Sequence, residues 1–320
     1  MNYLKIALVL LAVPVGRPAT ALQAPAEVAH VESKEAASAA PLLSKVRLMG
    51  ASVTAGFGNA DELKTGRNVP LTTFFQACLA EKNAGIDLNG KGSNAFFGAP
   101  QLTGAQQAAR ARAANPTLVI ALDYLFWYGA GVNSDKKPRR MKGIEMGLKE
   151  LEAFTCPLVI GTIPNVRHAL QGKSPFGGPI ISPWQIPSDE ERLAMNLRIR
   201  EWAAVREQVK VVDLERFFFS IVQSEPIKMR GQTWTISSMA SVLQGDLLHP
   251  NLDGTVMTAI AVADKVAELE GASADDFVFE PAKVREHLLA LLGPARAKHA
   301  DRLEKAALRK AKREKASQGK

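Results

Sequence analysis

Short apolar runs recur along most of the chain, and segments with helical spacing separate them. The runs are "KVRLMG", "GIDLNG", "TLVIALD", "PLVIGTIP" and "VKVVDLE", at 45–50, 85–90, 117–123, 157–164 and 209–215. Val, Ile and Leu dominate the third and fourth runs, which is typical of parallel strands buried on both faces. The segments between them predict helices at about 69–83, 102–114, 139–154, 189–208 and 255–271. The alternation predicts an α/β fold: a three-layer α/β/α sandwich around a mainly parallel sheet of about five strands.

The first residues have a different pattern from the rest of the chain. A charged "MNYLK" precedes the apolar run "IALVLLAVPVG" and the small residues of "PATALQA". This order predicts a secretory signal peptide over residues 1–24, and hence export to the periplasm or the medium. The apolar run is short for a membrane span, and an uncleaved anchor is the alternative. Residues 25–43 are rich in Ala, Pro, Ser and Glu and predict a linker.

The formal net charge of +8 is concentrated at the C-terminal end. Residues 294–320 contain ten Lys/Arg against three Asp/Glu, so the remainder of the chain is nearly neutral. We therefore divide the sequence beyond the linker into a main domain (44–272), a C-terminal helical extension (273–293) and a basic tail (294–320). The tail predicts either a solvated helix or disorder. Its lack of interleaved aromatic residues argues against nucleic-acid binding, and a weak contact with anionic envelope polymers is the partner that its charge suggests.

The two cysteines, Cys78 and Cys156, allow a disulfide in an exported chain. Nothing in the sequence brings them together, so free thiols are the favoured interpretation. No Cys-x-x-Cys motif or His/Cys cluster indicates a metal site.

A serine follows the first strand in the stretch "MGASVTAGFG". Catalytic groups of parallel sheets gather at the carboxyl ends of the strands, so Ser52 is a candidate nucleophile. The stretch lacks the G-x-S-x-G pattern because Thr54 stands where the second glycine would be. A structural serine in a glycine-rich turn is the alternative.

A serine hydroxyl needs a base, and the stretch "GDLLHPN" supplies a candidate in His249. Pro250 disfavours helical geometry at His249, so the histidine is predicted to lie in a loop just before a helix. Asp246, three residues earlier, can accept a hydrogen bond from Nδ1 and leave Nε2 free to take a proton from the serine.

At these residues the sequence resembles the SGNH, or GDSL-type, hydrolases over about residues 44–270. "GASVTAG" is similar to the first block of that family, with Ala51 in place of the usual acid, and "DLLHPNLDG" is similar to the last block. "DLNGKGSN" resembles the second block, and this implies that Gly92 supplies a backbone donor to the oxyanion hole. The resemblance also implies the backbone N–H of Ser52 as a second donor.

The third block departs from the family pattern of Gly-x-Asn-Asp. The chain has "ALDYLFWYG", with Asp123 where the resemblance implies an oxyanion-binding asparagine. Loss of one such donor costs about 10²–10³ in rate. Three alternatives stay open: Asp123 is protonated and donates, it holds a loop or an arginine, or Asn94 supplies the amide. The aromatic residues that follow either line an acyl pocket or pack as core.

The resulting hypothesis is a serine esterase or lipase-type hydrolase of carboxylic esters, in which Ser52, His249 and Asp246 act through an acyl-enzyme without a metal or organic cofactor. The substrate would be a small-molecule or glycan-linked ester. One alternative is a polysaccharide O-acetyl esterase or acyltransferase that uses the same site. Another is a catalytically inactive protein of the same fold that binds glycans or a partner protein.

Overall fold

A computed structural model describes residues 41–130, 137–175 and 177–318. The predicted signal peptide and all but the last three residues of the predicted linker lie outside this part of the chain. The described chain contains a five-stranded sheet in which every neighbouring pair is parallel, with the order β2-β1-β3-β4-β5. Its strands are β1 (Lys45–Leu48), β2 (Asp87–Gly90), β3 (Leu118–Ala121), β4 (Leu158–Gly161) and β5 (Val209–Val212).

Helices cover both faces of the sheet, so the predicted three-layer α/β/α architecture is confirmed. The helices are α1 (Ser52–Ala55), α2 (Leu71–Ala77), α3 (Pro100–Ala113), α4 (Phe126–Ala130), α5 (Lys137–Glu152), α6 (Asp189–Ala204), α7 (Leu214–Gln223), α8 (Leu252–Val266) and α9 (Pro281–Gln318). One face packs against α2, α8 and the first part of α9, and the other against α3 to α6. Alternate residues of β3 enter the two cores: Leu118 and Ile120 face the first, and Val119 and Ala121 the second.

The fifth predicted strand is shorter than its apolar run because a helix begins inside that run. The Asp213 carboxylate accepts a hydrogen bond from the backbone N–H of Arg216 at 3.1 Å and caps the N-terminus of α7. The strand therefore ends at Val212. The sequence pattern also did not predict α7 itself, nor the small antiparallel hairpin of β6 (Ile227–Met229) and β7 (Gln232–Trp234).

The C-terminal extension and the basic tail form one helix, α9, which continues past Pro294 to Gln318. Its first part buries Val284, Leu288 and Leu292 against the core. Beyond residue 300 every side chain of α9 whose burial is described is exposed. Of the two alternatives for the tail, the structure has the solvated helix.

Both cysteines are free thiols, as the sequence favoured. Cys78 belongs to the core on one face of the sheet and Cys156 packs against the core on the other face, so the sheet separates them. Burial raises the pKa of both thiols, that of Cys156 to about 11. Within the described ranges, no helix has the length and apolar character needed to span a membrane.

Candidate active site

The carboxyl ends of β1 and β3 meet at the point where the chain reverses its direction of progress through the sheet. Such a switch point is where doubly wound sheets bind ligands. Ser52 begins α1, four residues after β1 ends, and Asp123 lies two residues after β3. The sheet topology therefore brings together two groups that are about seventy residues apart in sequence.

Three side chains form a continuous hydrogen-bonded series at this edge. The Oγ of Ser52 lies 2.8 Å from Nε2 of His249, and Nδ1 of His249 lies 2.7 Å from Oδ2 of Asp246. Asp246 and His249 are 2% and 3% exposed, whereas Ser52 is half-buried. The accessible end of the series is thus the hydroxyl, and the carboxylate end is closed to water.

The turn that carries His249 is held by the carboxylate of Asp246. Its Oδ1 accepts hydrogen bonds from the backbone N–H groups of Leu248 and His249 at 2.9 and 3.0 Å. Leu247, which lies between Asp246 and Leu248, adopts a left-handed φ of 56°, which non-glycine residues seldom do. As Pro250 led us to expect, α8 begins only after the histidine, and Asn251 is its N-cap. One carboxylate therefore both shapes the turn and contacts the imidazole.

These contacts set the charge of Asp246. Burial by itself would raise the pKa of its carboxyl group, but the hydrogen bonds and the charge of His249 and the two backbone donors lower that pKa below the usual value. Asp246 is therefore an anion that can stabilise a protonated imidazole. The ring of Phe57 packs against that of His249, with centroids 4.4 Å apart, and restricts its orientation.

Asp123 lies at the cleft, but it accepts hydrogen bonds instead of donating one. Oδ1 accepts from the backbone N–H of Ala51 at 2.9 Å and from Oγ1 of Thr54 at 2.6 Å. Oδ2 accepts from the backbone N–H groups of Val53 and Thr54 at 2.8 and 3.3 Å. With four donors directed at it, the carboxylate binds the turn that carries Ser52, which is one of the alternatives the sequence left open.

This geometry does not favour Asp123 as a donor in the oxyanion hole. The carboxylate is 7% exposed, and both of its oxygens accept hydrogen bonds from the turn that carries Ser52. Gly50 makes the arrangement fit, since a Cβ there would lie 2.1 Å from Oδ1 of Asp123. The absence of a side chain at Gly50 thus makes room for the Asp123 carboxylate, which holds the turn that carries Ser52.

Gln107, which the sequence did not single out, supports the same turn from α3. Its buried side-chain amide accepts from the backbone N–H of Gly50 and donates to the carbonyl of Gly50, both at 2.9 Å. Gln107 belongs to no recognisable motif, and the stretch "GASVTAG" that contains Thr54 did not indicate a contact between Thr54 and Asp123. No signal in the sequence identified them, because their role depends on how α3 and the turn pack.

Two backbone N–H groups remain as candidates for oxyanion binding. The N–H groups on either side of Ser52 donate to Asp123, whereas among the described residues the N–H of Ser52 and that of Gly92 donate to no protein acceptor. Gly92 packs directly on the nucleophile turn, where a Cβ would lie 2.4 Å from the carbonyl oxygen of Ala51. Asn94 is exposed, whereas Gly92 is buried against the nucleophile turn, so the placement favours Gly92 over Asn94 as an oxyanion donor.

A narrow apolar cavity of about 50 Å³, here named the acyl cavity, opens beside the Ser52 hydroxyl. Its walls come from the loop after β3, from α7 and from the turn before α8, and include Leu122, Trp127, Phe217 and Leu248. The aromatic residues of the "YLFWYG" segment take both of the roles considered for them, since some line the cavity and others pack in the core. Phe126 and Trp127 line the cavity, while Tyr124 and Tyr128 lie in the core with their hydroxyl oxygens 3.2 Å apart.

His168, in the loop after β4, lies beside the catalytic turn without reaching Ser52. Its ring donates a hydrogen bond to the backbone of Leu247, and its Nε2 is buried without a hydrogen-bond partner among the described residues. Burial lowers the pKa of His168, and the hydrogen bond opposes this effect in part. In the part of the chain that the structure describes, no group of three or more His, Cys, Asp or Glu could hold a metal ion.

The comparisons with known proteins are distant. No protein-family model matches the chain, and no curated protein matches it in sequence. Among solved structures, a GDSL-like lipase from Bacteroides thetaiotaomicron is similar, with 14% identity, a TM-score of 0.38, and coverage of 70% of this chain and 87% of that one. A proposed acylhydrolase from Bacteroides fragilis has 15% identity, a TM-score of 0.39, and coverage of 70% and 88%. Likeness at this level carries no argument about activity, so the function has to be inferred from the geometry of the site.

Proposed function

We propose that this protein is a serine-dependent carboxylic ester hydrolase. The observation that carries the proposal is the series from Ser52 Oγ through His249 to Asp246, with distances of 2.8 and 2.7 Å, at the mouth of an apolar cavity. A serine, a histidine and a buried carboxylate in this order are the elements needed for nucleophilic acyl transfer. The distant SGNH-like features of the sequence agree with this proposal.

In the first half of the reaction, Ser52 Oγ attacks the ester carbonyl carbon while Nε2 of His249 takes the hydroxyl proton. The anionic Asp246 stabilises the imidazolium that forms, and it keeps the ring in the tautomer with the proton on Nδ1. The negative charge moves to the former carbonyl oxygen, which the N–H groups of Ser52 and Gly92 would bind. The C–O bond to the alcohol then breaks, and His249 gives its proton to the leaving oxygen.

In the second half, water attacks the acyl group on Ser52 and His249 takes a proton from that water. Collapse of the second tetrahedral intermediate releases the carboxylic acid, and the proton returns from His249 to Ser52 Oγ. Every proton transfer uses the same nitrogen. The fixed position of His249 between Asp246 and Phe57 therefore serves both halves of the reaction.

The volume of the acyl cavity favours a short acyl group. A single water needs roughly 10–15 Å³ of such space, so a cavity of about 50 Å³ accepts a group of only a few heavy atoms. Its apolar walls suit the methyl or short alkyl end of an acetate, propionate or butyrate ester.

Hydrolysis of aryl acetate by purified protein tests the proposal. Wild-type protein should release the phenol and acetate in equal amounts, and Ser52→Ala and His249→Ala should each reduce kcat by about 10³-fold or more. The double variant should be little slower than either single variant, since members of such a series act as a unit. Turnover by Ser52→Ala at near the wild-type rate would mean that the nucleophile lies elsewhere.

Export remains a proposal that rests on the order of charged, apolar and small residues in the first 24 positions. Mass spectrometry of protein recovered outside the cytoplasm should find a new N-terminus near residue 25. An intact Met1 on that protein would contradict it. A weak contact of the basic tail with anionic envelope polymers is likewise a proposal that rests on charge.

A further inference from the structure

Two segments that are far apart in sequence carry the reacting side chains. Ser52 and the loop that follows α1 belong to residues 52–58, and the turn with Asp246 and His249 belongs to residues 244–251. The hydrogen bond between Ser52 and His249 is kept only while the two segments hold their mutual position. Groups that join one segment to the other therefore bear directly on the proposed chemistry.

The side chain of Gln244 joins the two segments. Its Nε2 donates to the backbone carbonyl oxygen of Phe57 at 2.7 Å and to that of Pro250 at 2.9 Å. A side-chain amide has two N–H groups, so both are used and the orientation of the amide is fixed. One acceptor lies directly after the histidine in sequence, and the other belongs to the residue whose ring packs against the imidazole.

The backbone of Gln244 closes the turn that carries the histidine. Its N–H donates to the carbonyl oxygen of His249 at 2.8 Å, and its carbonyl oxygen accepts from the N–H of Leu247 at 2.9 Å. The Asp246 carboxylate binds N–H groups inside the same turn. Gln244 therefore belongs to the hydrogen-bonded frame of the histidine turn and also contacts the other segment.

The loop after α1 is shaped to receive this side chain. Gly58 has a left-handed φ of 75°, and a Cβ on Gly58 would clash with Oε1 of Gln244. The N–H of Phe57 donates to the carbonyl oxygen of Ser52 at 3.0 Å, so the loop is also bonded to the first residue of α1. A path of hydrogen bonds therefore runs from Ser52 through Gln244 to His249.

We infer that Gln244 is a positioning residue, which keeps Nε2 of His249 within hydrogen-bonding reach of Ser52 Oγ. This inference rests on the proposed function, since it adds a supporting residue to the same reaction. Gln244 is half-buried and does not line the acyl cavity, so it acts on the rate through His249 and not through binding of the acyl group. A displacement of about 1 Å between reacting groups can cost about 10²-fold in rate.

Gln244→Met tests the inference, because methionine is an unbranched side chain of similar length that cannot donate a hydrogen bond. With aryl acetate, kcat should fall about ten- to hundredfold while KM stays within about twofold. The rate at which a fluorophosphonate labels Ser52 should fall by a similar factor, since that reaction needs the activated hydroxyl but no bound ester. Gln244→Asn, with an amide one methylene shorter, reaches at most one of the two carbonyls and should show the same split to a smaller degree.

Asn83→Leu is the matched control. Asn83 is also half-buried, and its Nδ2 donates to the backbone carbonyl oxygen and to Oδ1 of Asp276, both at 3.2 Å. It precedes β2 at the amino end of the sheet, whereas Ser52 follows the carboxyl end of β1. Both variants lose two amide hydrogen bonds and should have a lower Tm, but only Gln244→Met should lose activity. A wild-type rate in Gln244→Met, or equal losses of rate in the two variants, would overturn the inference.

A spectroscopic measurement keeps the inference testable without turnover. In protein labelled with ¹³C in the histidine rings, the NMR signal of the His249 Cε1–H group is identified by its absence in His249→Ala. This signal should shift or broaden in Gln244→Met, because the ring loses its fixed orientation, and should stay unchanged in Asn83→Leu. The same NMR change in a protein that neither hydrolyses esters nor reacts with the fluorophosphonate would reject the proposed function and leave the positioning role standing. Hydrolysis by wild-type protein, with the rate and the NMR signal unchanged in Gln244→Met, would reject the positioning role alone.

Discussion

Replacement of Asp123 by Asn would test how the nucleophile turn is held. The carboxylate accepts from three backbone N–H groups and one hydroxyl, and an amide has only one oxygen to replace two. With the new NH₂ group in the position of Oδ1, the Thr54 hydroxyl can rotate to accept from it, but the N–H of Ala51 loses its acceptor. With the NH₂ group in the position of Oδ2 instead, the N–H groups of Val53 and Thr54 both lose their acceptor.

The lower-cost orientation sets the expected magnitude. One buried donor left without a partner costs about 1–3 kcal/mol, and the remaining bonds change from charged to neutral acceptors. We expect Asp123→Asn to lower the free energy of unfolding by about 2–4 kcal/mol, which for a domain of this size lowers Tm by roughly 4–12 °C. We also expect kcat to fall, because Ser52 and its backbone N–H belong to the same turn.

Thermal unfolding and a pH–rate series on aryl acetate would measure both effects. The shape of the pH–rate profile should not change, because a carboxylate that only accepts hydrogen bonds from the turn does not take part in proton transfer. Asp61→Asn is the control, since Asp61 is exposed and the same substitution there should leave Tm and rate unchanged. Two results for Asp123→Asn would refute the acceptor role of Asp123 and favour a protonated donor. One is an unchanged Tm with a higher rate, and the other is an unchanged Tm with the loss of a fall in activity at alkaline pH.

Three further predictions concern pH, the tail and the acyl group. Burial lowers the pKa of His168 in the folded protein, so the unfolded chain binds a proton at this histidine more readily than the folded chain does. The free energy of unfolding should therefore fall as the pH drops below about 6.5. His168→Gln should remove this part of the dependence of Tm on pH. Truncation after residue 300 should leave Tm and aryl acetate turnover unchanged, because the side chains described beyond that point are exposed, and a Tm several degrees lower would show that the tail packs. In a series of aryl esters, kcat/KM should fall by about tenfold or more between butyrate and octanoate, since the acyl cavity of about 50 Å³ cannot hold the longer chain; equal rates would contradict the assignment of that cavity.

Sequence reasoning predicted the sheet and the positions of Ser52, Asp246 and His249 because those features follow from local rules. Buried parallel strands require continuous apolar runs, and a proline fixes the conformation of the residue before it. The structure brings these three side chains together at one edge of the sheet. Their catalytic role stays a prediction until it is measured.

The role of Asp123 could not be deduced in the same way. Its position at the end of β3 is a local property, but the direction of its carboxylate depends on the backbone of a turn about seventy residues earlier. The same is true of Gln107, whose contact with Gly50 arises from packing between separate elements. Helix α7 was missed for a different reason: its apolar residues follow a strand directly, and the boundary is set by the single capping residue Asp213.

Activation of Ser52 by His249 is the basis of the proposed function, and covalent labelling of the serine would measure it. Purified protein would be treated with a fluorophosphonate, and the labelled residue would be identified by peptide mass spectrometry. We expect one phosphonyl group per chain on Ser52, and little or no labelling in Ser52→Ala or His249→Ala. Absence of labelling in folded wild-type protein, or labelling that persists in Ser52→Ala, would contradict the assignment of Ser52 as the nucleophile.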